Sequence, residues 1–162
     1  MAVDMFLKLE GIDGEAQDKA HAKEIDVLAW SWGMSQSGTM HTGAGGGSGK
    51  VSVQDISITK YVDSASPHIM TYCCTGKQFA SAKLTIRKAG GTAPVEYVII
   101  ELKDVIVTST STGGSGGEDR LTENISLNFA KFSYTYTPQD QTGKAGTQIP
   151  ISWNIAKNDD SK

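Results

Sequence analysis

Apolar and polar positions alternate along most of the chain with period two, the spacing of a strand that buries one face. Val3, Met5, Leu7 and Leu9 alternate with Asp4 and Lys8. In "EIDVLAWSWGM", Ile25 and Val27 share one parity, whereas Leu28, Trp30, Trp32 and Met34 share the other. A parity slip inside one strand predicts a β-bulge, which bends and twists it. The slip recurs in "VSVQDISITKYV", where Val51 and Val53 give way to Ile56 and Ile58. It recurs again in "ENISLNFAKFSYTY", from Ile125, Leu127 and Phe129 to Phe132, Tyr134 and Tyr136. Three slips predict a curved sheet. Further strands are predicted at 81–88, 95–109 and 148–156, with Gly90-Gly91 as a turn between the first two. Residues 97–102 are apolar on both parities except Glu101, which predicts a strand partly covered on both faces.

One segment leaves this pattern. In "SASPHIMTYCCTGK", Ser66 suits an N-cap, Pro67 the first helical position and Gly76 the C-cap. Ile69, Tyr72 and Cys73 then share one face of a short helix over about 67–75. The fold class is therefore mainly β: a closed β-barrel or sandwich of about eight strands with one short flanking α-helix. Glycine-rich loops are expected at 43–49 and 113–117, a single domain over 1–156, and a frayed polar tail, "KNDDSK", over 157–162.

Composition narrows the function classes. The chain has 162 residues and a net charge of -3, with scattered Lys and Arg, so the basic surplus of a nucleic-acid binder is absent. No apolar run reaches the ~18 residues of a membrane helix, and "MAVDMFLKLEG" lacks the apolar run of a signal peptide. Neither nucleic acid nor membrane insertion is expected. Cys73 and Cys74 are adjacent, so they cannot form an ordinary framework disulfide with each other.

The candidate chemistry thins out on inspection. "AGGGSGKV" from Ala44 approaches a phosphate-binding loop, but Val51 stands where a hydroxyl must hold magnesium. The residues that follow read as a strand, not as the helix whose N-terminal amides would meet phosphates. His21, His41 and His68 lie far apart and without partners at metal-motif spacing. No serine sits in a G-x-S-x-G elbow, and the acids of "SGGEDRLTE" read as a solvated rim. No catalytic residues, metal or cofactor are expected, and the chain is not read as an enzyme.

Trp30-Ser31-Trp32 is more informative. Alternation sends both indoles to one face, with Leu28 and Met34 beside them as barrel core, and leaves Ala29, Ser31 and Gly33 as a smooth opposite face. Two indoles could also form a sugar platform, which would require them to be exposed.

"EIDVLAWSWGMSQS", "KLTIRKAGG…VEYVIIELKDVIV", "STGGSGGEDRLTENISLNFAK" and the closing "WNIA" closely resemble, in order and from about residue 2 to 156, the Hcp family of bacterial type VI secretion. Two departures are Ser152 before Trp153, where relatives often carry glycine, and the Cys73-Cys74 pair. The resemblance implies a β-barrel whose copies form homohexameric rings that stack into a hollow tube like that of a phage tail. It implies a contractile sheath around the tube, a spike protein at its tip and small effectors in the lumen. It also implies residence in the bacterial cytoplasm before firing and secretion without a signal peptide. No catalytic domain is expected after the barrel. Against that background Ala29, Ser31 and Gly33 are expected to face the lumen. The loop His41, Thr42, Gly43, Gly45, Gly46, Gly47, Ser48, Gly49 and Lys50 is expected to reach an adjacent ring.

Overall fold

Period-two patterning resolves into nine strands among the described residues, which are 3–41, 47, 49–88 and 94–161 of a computed structural model. In chain order these are β1 (Val3–Leu9), β2 (Ile25–Ser31), β3 (Met34–Ser35), β4 (Ser52–Val53) and β5 (Ile56–Tyr61). The helix α1 (Ser66–Thr75) follows, then β6 (Phe79–Lys88), β7 (Glu96–Thr112), β8 (Thr122–Tyr136) and β9 (Ile149–Asn154). The main sheet runs β5-β2-β1-β6-β7-β8-β9, and a further β5–β8 pairing closes its first six strands into a barrel. All its pairings are antiparallel. The expected turn at Gly90-Gly91 lies outside the described residues.

Closure requires bending, and each parity slip has a physical counterpart. In β2, Val27 pairs with Lys60 but Ala29 pairs with Thr59, so Leu28 is the extra residue of a bulge. The slip between Val53 and Ile56 is instead a break: β4 belongs to a separate two-stranded sheet with β3. The slip in β8 falls between Phe129 and Phe132, both buried, and β7 slips at the same level. There Asp104 adopts φ 54, between the pairs Lys103↔Lys131 and Val105↔Phe129. Because both strands slip together, the register continues while the sheet turns. At this level β8 leaves β5, which it pairs through Leu127, and takes up β9 from Lys131.

Leu7, Leu9, Ile25, Ile58, Leu84, Ile100 and Leu127 fill the barrel, each at most 2% exposed. Helix α1 packs on this core through Ile69, with Tyr72 and Cys73 half-buried beside it. It begins one residue earlier than expected, with Ala65 as N-cap, and Ser66 is not the cap. The Ser66 hydroxyl is engaged beneath the helix, where it donates to Glu123 and accepts from Lys60 Nζ. Gly76 ends the helix at φ 68, a conformation that favours glycine, and its N–H donates to Tyr72 O at 3.0 Å.

The β1–β2 connection is strapped to the barrel wall. His21 stacks on Phe6 with centroids 4.6 Å apart, and the Arg87 guanidinium lies 5.0 Å from the same ring. Arg87 also pairs with Asp18, and this hydrogen bond holds the Asp18 carboxyl below the usual carboxylate range. Residues 157–161, read from sequence as a fraying tail, turn back onto β9. There Asn154 N–H donates to Asp159 O at 2.7 Å.

Candidate assembly surfaces

Registers across the closing seam place four short side chains on each of two neighbouring rungs. One rung is Ala29–Thr59–Asn124–Ser111 and the next is Ser31–Ser57–Ser126–Ser109. Their intervening neighbours Trp30, Ile58 and Ile125 point into the barrel, so all eight share the outer face. These rungs carry no charge and no side chain larger than Asn. Thr59 donates to Asn124 Oδ1 at 2.6 Å. At one margin Asp55 accepts from Thr108 at 2.7 Å and from Asn128 at 2.8 Å. At the other, the Arg120 guanidinium lies 3.8 Å from the Tyr61 ring centroid. Such a face offers short hydroxyls and amides with little for an apolar surface to grip.

A second surface is its opposite in character. Where β8 takes up β9, three rungs continue the barrel's inner face outward: Leu102–Phe132–Trp153, Ile100–Tyr134–Ile151 and Val98–Tyr136–Ile149. Leu102, Ile100 and Val98 are buried, but Tyr136 is 42%, Ile149 58% and Ile151 55% exposed. The cause is geometric. The other half of β8 bonds to β5 and closes the barrel, so β9 hangs beyond the seam with no strand or helix of the described residues over it. Pro150 suits this edge position, having no N–H to donate.

The third surface is the arm between β3 and β4. Met34↔Val53 and Ser35↔Ser52 pair at its base, and Thr39 Oγ1 donates to Gly47 O at 2.7 Å. A Cβ at Gly49 would lie 2.5 Å from Ser37 Oγ, so the absence of a side chain lets the two limbs run close together. His41, Gly47, Gly49 and Lys50 are exposed, while Thr42, Gly43, Gly45, Gly46 and Ser48 lie outside the described residues. After Lys50 the chain enters strand β4 and not a helix.

Two core assignments are corrected. Leu28 is 39% exposed because it is the bulged residue, and Met34 is 46% exposed because β3 lies outside the barrel. Trp30 and Trp32 are half-buried and pack on the core. Trp32 meets Phe132 edge-on at 4.8 Å, and its indole N–H donates to Gln54 O at 2.9 Å. Half-buried against the core, the two indoles are not the exposed pair that a sugar platform requires. Ala29 and Ser31 lie together on the polar face, whereas Gly33 lies beyond the end of β2, half-buried against Gln54. His21 has carboxylate neighbours after all, Glu24 at 2.6 Å and Glu96 at 2.7 Å. Among the described residues no group of three or more His, Cys, Asp or Glu could hold a metal ion, and Cys73 and Cys74 are free thiols.

Sequence reasoning put Ala29 and Ser31 on one face but did not join Ser57, Thr59, Ser109, Ser111, Asn124 and Ser126 to it. Their signal was present: each alternates with an apolar or inward-facing residue, but only the strand order sets them side by side. The overhanging Ile149 and Ile151 also alternate, and nothing local distinguishes them from core.

Known proteins agree with this architecture. Residues 6–136 match the family model described as type VI secretion system effector, Hcp. Protein hcp1 of Pseudomonas aeruginosa is 62% identical over 159 residues, covering 98% of both chains. The solved structure of a type six secretion system protein superposes with a TM-score of 0.91 at 34% identity, covering 98% of this chain and 99% of that one. Hcp1 from Salmonella typhimurium gives a TM-score of 0.81 at 39% identity, with 98% of each chain covered. No helix among the described residues is long and apolar enough to cross a membrane. A match over most of the barrel, joined to identity along nearly the whole length, places this chain in the Hcp family of secreted type VI secretion proteins.

Proposed function

We propose that this chain is the structural subunit of a type VI secretion tube, in which six copies close into a ring and rings stack around a lumen that carries small effectors. The observation that carries the reading is the overhanging face of β8 and β9, where Tyr136, Ile149 and Ile151 extend the core yet stay exposed. A contiguous apolar surface of this kind favours a protein partner. In a ring its partner is a different surface of the next copy. Heterologous contacts of that type close into rings when the rotation permits.

The small polar face supports the lumen. Short hydroxyls around Ser31 and Ser57 leave the channel wide and let a protein slide along it. Ala29 and Ser31 therefore line the channel, with Gly33 at its margin, and the 41–50 arm reaches the adjacent ring. The function is mechanical and carrying, not catalytic. The sheath surrounds the outer wall, the spike caps the tip, and the chain resides in the bacterial cytoplasm until it is fired to the outside.

Sedimentation with negative-stain imaging tests the assembly. The expected species is a ring of six times the 17.2 kDa protomer mass. A strict monomer at high concentration would refute it. Ser31→Gln and Ser57→Gln narrow the channel without touching the core, so cargo retention should fall while rings persist. Unchanged cargo retention in both would remove the lumen assignment. Deleting residues 43–49 should weaken stacking more than ring closure, and equal loss of both would refute the role of the arm.

A further inference from the structure

The seam that closes the barrel holds a buried charge cluster. Lys60 on β5 and Glu123 on β8 are direct cross-strand partners, 0% and 1% exposed. Lys60 Nζ donates to Glu123 Oε1, to Tyr61 O at 2.9 Å and to Ser66 Oγ at 3.1 Å, and lies 2.9 Å from Asp63 Oδ1. Ser66 Oγ donates to the same Glu123 oxygen and accepts from Asp63 N–H at 3.0 Å. The cluster therefore joins both seam strands to the start of α1. Its ion pair spans 63 residues of sequence.

The hydrophobic pattern alone does not choose the seam's register. The native pairs facing inward are Ile56↔Leu127, Ile58↔Ile125 and Lys60↔Glu123. Sliding β5 by two residues along β8 preserves every side chain's facing and gives Ile56 opposite Phe129 and Ile58 opposite Leu127. Both pairs stay apolar, so the hydrophobic pattern by itself does not forbid the slid register. Charge is lost at the third inward rung, where Lys60 would face Ile125 and Glu123 would lose its cross-strand partner. A buried charge without its partner is strongly disfavoured.

We infer that the Lys60–Glu123 pair is the register lock of the barrel's closing seam, selecting the native register over a slid one that the hydrophobic pattern alone would also allow. Helix α1 takes part through Ser66, because its hydroxyl bond to Glu123 is made across the seam, whereas Asp63 and Ser66 contact Lys60 within the same stretch of chain. The polar outer face depends on this selection, since Ser57 meets Ser126 only in the native register.

Disulfide trapping reads the register. In a Cys73→Ser/Cys74→Ser background, Ser57→Cys with Ser126→Cys reports the native seam. Ser57→Cys with Asn128→Cys reports the seam slid by two. These positions are direct partners only in their own register, and a disulfide requires Cα atoms within about 7 Å. With Lys60 and Glu123 intact, only the native pair should cross-link. In Lys60→Met/Glu123→Met, which exchanges the ion pair for apolar side chains, the slid pair should cross-link in at least about a tenth of chains, consistent with loss of the charged rung's selection. Lys60→Gln/Glu123→Gln provides a second uncharged seam that retains polarity and should show the same slid cross-link. If folded uncharged variants cross-link only in the native register, the lock is refuted. If neither variant folds, the proposal is also overturned, because the pair would then be supplying stability instead of choosing between registers.

Discussion

Replacing Ile149 and Ile151 together with threonine probes the overhanging face while keeping β-branched side chains in the strand. Each change removes about two apolar carbon groups, worth ~0.8 kcal/mol apiece when fully buried. The isolated protomer leaves these residues 58% and 55% exposed, so only a little over half of that burial remains for a partner to complete. The expected loss is about 1 kcal/mol per residue, or ~2 kcal/mol per interface. A closed ring has one interface per protomer, so the concentration at which rings form should rise about thirtyfold. The fold itself should be nearly unaffected, within about 0.5 kcal/mol, because surface positions contribute little to protomer stability. Sedimentation velocity over a dilution series measures the first quantity. Urea unfolding at concentrations where the protein is monomeric measures the second. A shift in ring formation below about threefold, less than 1 kcal/mol, with the fold intact, would refute the assignment of this face.

Ile100 is 0% exposed at the centre of β7, so Ile100→Ala should lower unfolding free energy by about 3 kcal/mol in a urea titration. Gly76→Ala forces a side chain into φ 68 and should cost about 1 kcal/mol, with helix α1 losing amide-exchange protection before the barrel does. The Arg87 hydrogen bond holds the Asp18 pKa below its ordinary 3.8. Its stabilising contribution is therefore present above that value and is lost as pH falls through the lower folded one. The thermal midpoints of the wild type and Arg87→Met should accordingly converge as pH is lowered below 3.8, and a gap that stays constant would show that Asp18 is not the partner that matters.

The segments legible in the sequence are those whose signals are local. Pro67 and Gly76 mark the helix within one residue, because a fixed φ and a left-handed cap act on the backbone where they stand. The slip at Leu28 gives the bulge, since a change of parity cannot occur in a regular strand. The Ser31 face was legible for the same reason: alternation decides which residues share a side.

Alternation does not decide what lies against that side. Leu28 and Met34 have core-like side chains, yet one is bulged out and the other belongs to a separate small sheet. Ile149 and Ile151 repeat the pattern of Ile56 and Ile58, but the first pair hangs beyond the seam and the second is sealed inside it. What separates them is the change of partner along β8, from β5 to β9, a long-range pairing that no local window contains. By itself the sequence determined the period, the helix and the faces. Tertiary structure decided which face became core, which became a polar outer face of short side chains and which stayed exposed, because burial depends on the strands that arrive from elsewhere in the chain.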